Sequence, residues 1–239
     1  MYTLLQIVQS ILNDMDSEAV NSIGDTAEAL QVASVVRDTF LNIVTTRDVP
    51  EHQELLKVNA ASDLDYPTHF EYPEDVRTIV KLWYENSDGV YKEIKWVNPL
   101  DFVYLTDNTV SDYVTVFDKN AGTKLRIANN QDPRFYTSFD NKWIVMNSYD
   151  SDVDNTLQES KIRAYGVKTP TFLIEDGHVP DLNDVWQPYL LAESKAVAMD
   201  LFKGGASPKI EQAARRQKAY IRNDREKSKR QNNWSAYGR

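Results

Sequence analysis

The sequence predicts an α+β fold: a helical bundle from N- and C-terminal helices, an inserted antiparallel β module and an extended C-terminal arm. Apolar residues recur at helical spacing before about residue 50 and again after about residue 180, whereas the stretch between them alternates with period two. These changes of pattern predict four divisions: 1–50 for the N-terminal helix pair of the bundle, 51–170 for the inserted β module, 171–206 for a bundle helix, and 207–239 for a C-terminal basic helix and arm.

Two helices are predicted in the first division. The first has apolar residues at i, i+4, i+7 and i+11 and no basic residues before them, so we expect an amphipathic helix of the fold rather than a signal peptide. The second begins at Asp25, with Glu28 three residues later as in a capping box, and runs to about Thr46. The predicted apolar faces are Leu4, Val8, Ile11 and Met15, and then Ala29, Val32, Val36, Phe40 and Ile43.

Short strands are predicted throughout the second division. Each of three hairpins has two alternating segments around a turn rich in Asn, Asp or Gly. A first strand at Leu55–Ala60 and a last one at Lys161–Val167 complete a pattern typical of an antiparallel sheet or a small sandwich. The hairpins span 80–96 around the turn 86–89, 114–127 around the turn 118–122, and 135–146 around the turn 140–141.

Helical spacing returns after Pro180, with Pro188 expected in the first turn and Gly204-Gly205 at the end. A last helix follows, with Ser207 as its cap and Pro208 as its first residue. The stretch Arg222–Asn233 contains no hydrophobic residue, so we expect it to be mobile until a partner orders it. The predicted apolar faces are Trp186, Leu190, Val197 and Leu201 in the earlier helix, and Ile210, Ala213, Ala214 and Ile221 in the last one.

Charge is distributed unevenly along the 239 residues, whose formal net charge is −9. Residues 203–239 hold 11 basic and three acidic side chains, a local net charge of +8, which leaves −17 for the first 202 residues. An acidic body with a basic tail indicates that the tail docks on another molecule, or on the acidic body of a neighbouring copy. The net charge argues against a protein whose whole surface binds nucleic acid.

The sequence indicates a protein that is not an enzyme and has no cofactor. It has no cysteine, which excludes disulfides, thiolate catalysis and zinc–thiolate or iron–sulfur sites. It also lacks the glycine-rich phosphate loops and the serine nucleophile motif. Its three histidines, His52, His69 and His178, have no metal-ligating spacing, and we expect surface or turn positions for them.

One acidic loop offers an alternative with metal chemistry. Asp150, Asp152 and Asp154 occupy positions 1, 3 and 5 of a calcium loop, but position 6 is Asn155 and position 12 is Lys161. We therefore favour a solvated acidic loop and predict no metal site, while a metal-dependent hydrolase centred on Asp150–Glu159 stays as an alternative. Stabilisation by calcium or magnesium would support that alternative.

Two stretches carry a family resemblance: FYTSFDNKWIVMNSYDSDVDNTLQESKIRAYG from Phe135, and VPDLNDVWQPYLLAESKAVAMDLFKGGASPKIEQAARRQKAYIRND from Val179. The region Phe135–Asp224 resembles the head-to-tail adaptor proteins of short-tailed bacteriophages, also called head-completion or head–tail connector proteins. Thr137–Ser151 and Val179–Ala196 are its most specific segments.

The resemblance implies packed helices that carry a β insertion, in a virion structural protein made in the host cytoplasm. Such adaptors form a homo-oligomeric ring, usually a dodecamer, beneath the portal protein at the head–tail junction. Their C-terminal segment, here Lys209–Arg239, embraces the portal, and the other face of the ring receives tail or nozzle proteins. An acidic body would let ejected DNA pass through the channel without specific binding. No family catalytic residues carry over.

The predicted portal-binding residues are the basic and aromatic side chains of the C-terminal arm. Removal of residues after about Lys218 is expected to abolish portal attachment and to leave the body folded. The alternative function is a nucleic-acid-binding accessory protein that uses the same basic helix, with DNA binding that depends steeply on salt. The predicted site residues are Arg215, Arg216, Lys218, Tyr220, Arg222, Arg225, Lys227, Lys229, Arg230, Trp234 and Tyr237.

Overall fold

The structure is a computed structural model that describes residues 1–47, 49–61, 63, 65–86, 88–109, 112–129, 131–149, 162–205 and 208–234; the side chains of residues 109 and 223–234 lie outside this description. Five helices and ten strands occur among these residues, which confirms the predicted α+β fold. They are α1 (Leu4–Asp14), α2 (Ala27–Thr46), β1 (Gln53–Leu56), β2 (His69–Glu71), β3 (Val76–Glu85), β4 (Tyr91–Trp96), α3 (Pro99–Thr109), β5 (Tyr113–Phe117), β6 (Lys124–Asn129), β7 (Phe135–Thr137), β8 (Trp143–Met146), β9 (Ser148–Tyr149), β10 (Ile162–Lys168), α4 (Gln187–Lys203) and α5 (Pro208–Trp234).

The chain divides into two compact units. Met1–Glu51 and Pro170–Arg239 form the first, here called the helical unit, and His52–Thr169 form the second, the β unit. The helical unit contains α1, α2, α4 and α5 around one hydrophobic cluster, because each of these helices has an apolar side to bury. The arrangement of these helices as a bundle stays a prediction.

The core of the helical unit joins segments that are far apart in sequence. Phe40 of α2 and Leu190 of α4 are fully buried in it. The ring of Phe172 lies 5.0 Å from the ring of Phe40, centroid to centroid. The chain before α4 is held to the start of α1, because the backbone N–H of Leu4 donates to the carbonyl of His178 at 2.7 Å.

The ends of the first two helices are set by side-chain caps. Thr3 and Gln6 form a capping box at the start of α1, with each side chain accepting a hydrogen bond from the other residue's backbone N–H. The prediction of Asp25 as the cap of α2 is wrong, since the Thr26 hydroxyl accepts from the backbone N–H of Ala29. The Asp25 carboxylate instead accepts hydrogen bonds from two backbone N–H groups of the preceding loop.

Helix α4 has the predicted ends but a different buried face. Pro188 lies in its first turn, and Gly204 ends it with a left-handed backbone at φ 75°. Val197 and Leu201, predicted to face the core, are exposed. Because both α2 and α5 pack on α4, its buried face follows these two contacts and consists of Tyr189, Leu190, Ser194, Ala198 and Met199, with Gln187 at its start.

The β unit contains a seven-stranded sheet and a three-stranded sheet. Their strand orders are β1-β10-β3-β4-β7-β8-β2 and β5-β6-β9. All three predicted hairpins are confirmed as antiparallel pairs, namely β3 with β4, β5 with β6, and β7 with β8. The first predicted strand has wrong bounds: β1 is Gln53–Leu56, and Ala60 forms only an isolated bridge with Phe70.

The prediction of an antiparallel module is wrong, because the sheets are mixed. Strand β7 pairs in parallel with β4, and β9 pairs in parallel with β6. A parallel pair needs a crossover connection, and α3 with the β5–β6 hairpin supplies it between β4 and β7. Helix α3 has no counterpart among the sequence predictions, since Phe102 and Thr106 alone are buried among its described side chains.

Candidate docking surface on helix α5

Helix α5 is attached to the helical unit by a narrow apolar stripe. Ala214 and Ile221 are buried, and Ile210 is partly buried against the core. Ala213, which the sequence placed in the same stripe, is exposed. The structure continues α5 as helix to Trp234, whereas the mobility predicted for Arg222–Asn233 stays a prediction.

The predicted basic residues of α5 fall on more than one face. Arg215, Lys218 and Arg222 are exposed and recur at i, i+3 and i+7, beside the buried stripe. Arg216 and Tyr220 are exposed as well, but neither lines the cleft formed on the Arg215 side. Arg225, Lys227, Lys229, Arg230 and Trp234 lie in α5 with side chains outside the description, and Tyr237 lies outside the described residues.

A surface cleft of about 310 Å³ lies along the Arg215 side of α5. Trp186 and Ile221 are buried, so we call them its floor, and the four cationic side chains that line it are more exposed, so we call them its rim. The fourth cation is Arg47, directly after α2. No sequence pattern connects it with the others, because it lies more than 160 residues from them. The lining residues are Arg47, Trp186, Arg215, Lys218, Ala219, Ile221 and Arg222, and we call this feature the basic cleft.

Arg47 is held in place by an aromatic side chain of α4. Its Nη2 donates a hydrogen bond of 3.3 Å to the hydroxyl of Tyr189, and its guanidinium carbon lies 5.1 Å from the centre of the Tyr189 ring. Burial raises the pKa of Tyr189, and Glu193 adds to this, while the charge of Arg47 opposes it. Tyr189 is therefore a neutral support that positions the Arg47 charge at the cleft.

The rim of the basic cleft has an excess of positive charge. Arg215 forms an exposed ion pair of 3.1 Å with Glu211, one turn earlier in α5. No carboxylate among the described side chains pairs with Lys218 or Arg222. An exposed pair such as Arg215–Glu211 is weak, so the rim can attract an anionic group from another molecule.

A second cluster of titratable groups lies in the β unit and is closed to solvent. His69 Nε2 lies 3.6 Å from Asp118 Oδ1, and His69 Nδ1 lies 3.3 Å from the hydroxyl of Thr68. All three residues are buried, so a substrate has no access to this hydroxyl–imidazole–carboxylate series. The Asp118 carboxylate also accepts hydrogen bonds from the backbone N–H groups of Asn120 and Ala121, which indicates a structural role at the β5–β6 turn.

The surface or turn positions predicted for the histidines are wrong for two of them. His52 and His69 are buried, and His178 is partly buried. Burial lowers the pKa of His69 although the nearby Asp118 carboxylate raises it, and burial also lowers the pKa of His178. Both shifts favour the neutral ring, which fits the burial of His69 and the partial burial of His178.

Within the described ranges, no three acidic or histidine side chains form a group that could hold a metal ion. Asp150, Asp152 and Asp154, the acidic loop of the calcium-like pattern, lie outside the described residues.

Among the residues that the structure describes, no helix combines the length and the apolar character needed to cross a membrane.

No protein-family model matches the sequence, and no curated protein matches it.

Proposed function

We propose that this chain is a bacteriophage head-to-tail adaptor: a non-enzymatic virion protein that forms a ring, of twelve copies by the family resemblance, under the portal. One observation carries the proposal. Helix α5 is attached to the body through few apolar residues, the last described one being Ile221, and it presents exposed basic side chains beside a cleft. The helix then continues beyond Ile221 to Trp234 with a basic sequence. A helix of this kind is suited to docking on a partner protein, here the portal.

The acidic body supports the rest of the proposal. With −17 over the first 202 residues, most of the chain repels a polyanion, which suits a channel that DNA crosses without specific binding. Tail or nozzle proteins then attach to the ring away from α5. The location of the assembled protein is the head–tail junction of the virion.

A truncation tests this function. Ile221 is buried, so the chain is cut after Arg222 rather than after Lys218, which keeps the contacts between α5 and the core. The tagged full-length chain and the truncated chain are each used to capture proteins from a lysate of the source, and bound proteins are identified and counted by mass spectrometry.

We expect the full-length chain to recover a portal-type ring with tail proteins. The truncated chain keeps the basic cleft but lacks the rest of α5, so it should recover much less of the portal, while its far-ultraviolet circular dichroism and melting temperature stay those of a folded body. Recovery of the portal by the truncated chain at the full-length level contradicts the proposal. Recovery of no ring at all by the full-length chain contradicts it as well.

A second candidate, a nucleic-acid-binding accessory protein, is favoured by the four cations of the basic cleft. It requires the logarithm of DNA affinity to fall linearly with the logarithm of salt concentration, with a slope set by the phosphates contacted. Titration of labelled duplex and single-stranded DNA between about 50 and 200 mM salt measures this slope. Absence of binding at the lowest salt removes the candidate.

A further inference from the structure

The basic cleft combines two chemistries that point to one class of ligand. Its floor includes apolar surface from Trp186 and Ile221, and its rim has the charges of Arg47, Lys218 and Arg222. An apolar side chain fits the floor, and carboxylates on both sides of it meet the cations. A peptide segment with an aliphatic residue between acidic residues presents these groups together.

Nucleic acid matches the same surface less well. Single strands bind on aromatic rings whose faces are open to stacking, whereas Trp186, the aromatic residue in the cleft lining, is only 5% exposed, which suits contact with one side chain and not a stacked base. The acidic body opposes the approach of a long polyanion, but it does not oppose a short segment with few charges. The cleft volume of about 310 Å³ suits a few side chains rather than a duplex groove.

We propose that the basic cleft is the seat of a short acidic segment of the portal partner, with one aliphatic side chain on the Trp186–Ile221 floor and its neighbouring carboxylates on Arg47, Lys218 and Arg222. This inference rests on the proposed function and adds to it the chemistry of the partner's segment. Arg47, fixed by Tyr189, is ordered before the partner arrives, which reduces the entropy lost on binding.

A peptide-binding experiment on the full chain tests the chemistry. The probe is a fluorescein-labelled peptide, Gly-Asp-Asp-Leu-Asp-Asp-Gly, and its binding is measured by fluorescence anisotropy. The comparison ligands are the same peptide with every Asp changed to Asn, and single-stranded oligothymidine of equal charge. We expect binding of the acidic peptide alone. Equal or tighter binding of the oligonucleotide, or no binding of the acidic peptide, overturns the proposal.

Charge reversal locates the binding site. Lys218→Glu and Arg222→Glu each remove a rim cation, so each is expected to weaken peptide binding by about tenfold, the equivalent of one charge-assisted hydrogen bond. Arg216→Glu is the matched control, because it makes the same change on the same helix outside the cleft, and its affinity should stay within about twofold. An equal loss of peptide affinity in all three variants would mean that the peptide responds only to the net charge of α5, and this result overturns the proposal.

Photo-crosslinking identifies the segment in the assembled complex. A benzophenone amino acid is placed at Ala219, which lines the cleft, or at Ala213, which is exposed on α5 outside it. We expect Ala219 alone to crosslink to a portal segment with an aliphatic residue between acidic residues. Crosslinks to a neutral or basic segment, or to DNA, overturn the inference.

Portal capture by the variants separates this inference from the proposed function. If the truncated chain loses the portal while Lys218→Glu and Arg222→Glu retain it, this inference fails and the proposed function stands.

Discussion

Substitution of Gly166 by Ala tests the packing of the central strands of the β unit. Gly166 lies in β10, between β1 and β3, at a point where the register with β3 shifts by one residue. A Cβ atom at this position would lie 2.6 Å from Leu56 Cδ1 and 2.7 Å from the carbonyl oxygen of Thr78. The glycine is required here because the neighbouring strands approach so closely.

The expected effect follows from which of these atoms can move. The Leu56 methyl can rotate away, but the Thr78 oxygen belongs to the backbone of β3 and must shift by at least the 0.3 Å between 2.7 Å and the 3.0 Å limit of such contacts. Such overpacking costs about 1–3 kcal/mol. The substitution also restricts the unfolded chain, which stabilises the protein by about 0.4–1 kcal/mol. The net loss of stability is therefore about 1.3 kcal/mol from the middle of both ranges, and about 2.6 kcal/mol at most.

Urea unfolding monitored by tryptophan fluorescence and circular dichroism measures this loss as a lower midpoint at unchanged slope. The melting temperature should fall by about 2–4 °C for each kcal/mol. Gly177→Ala is the matched control, because a Cβ there meets no atom within 4 Å, and we expect it to stabilise the protein by about 0.4–1 kcal/mol. If Gly166→Ala is as stable as Gly177→Ala, the close approach of the strands is refuted.

Three further outcomes are expected. Phe40→Ala leaves a cavity in the core of the helical unit and should lower the free energy of unfolding in urea by about 3–5 kcal/mol. Leu30 is half exposed, so Leu30→Ala should lower it by about 0.5 kcal/mol or less, and similar losses in the two variants would contradict the burial of Phe40. Thr3→Ala removes the capping box of α1 and should cost about 1 kcal/mol, measured in the same way; an unchanged midpoint would show that the cap contributes nothing. The pKa of His69 is lower in the folded protein than in the unfolded chain, so the unfolded chain binds this proton at a higher pH. The free energy of unfolding is therefore retained above the unfolded pKa of 6.5 and falls as pH drops below it. His69→Gln should lose less stability than the wild type between pH 7.5 and 5.5, and parallel pH curves for the two proteins would contradict this.

Local sequence patterns were sufficient for most elements of the fold. The alternation around the turns 86–89 and 118–122 predicted two hairpins because turn residues and period-two apolar positions act over a few residues. Gly204 predicted the end of α4 for a similarly local reason, since a left-handed backbone favours glycine. The excess of basic residues after residue 203 identified α5 as the candidate docking element.

Contacts between distant residues were decided only by the tertiary structure. The parallel pairing of β4 with β7 depends on the crossover through α3, and no local pattern encodes which strands become neighbours. The buried face of α4 depends on where α2 and α5 pack against it, which is why Val197 and Leu201 were assigned wrongly. The basic cleft exists because packing brings Arg47, directly after α2, into the same cleft as Lys218 and Arg222 of α5. A count of charges along the chain therefore identified the helix but not the site.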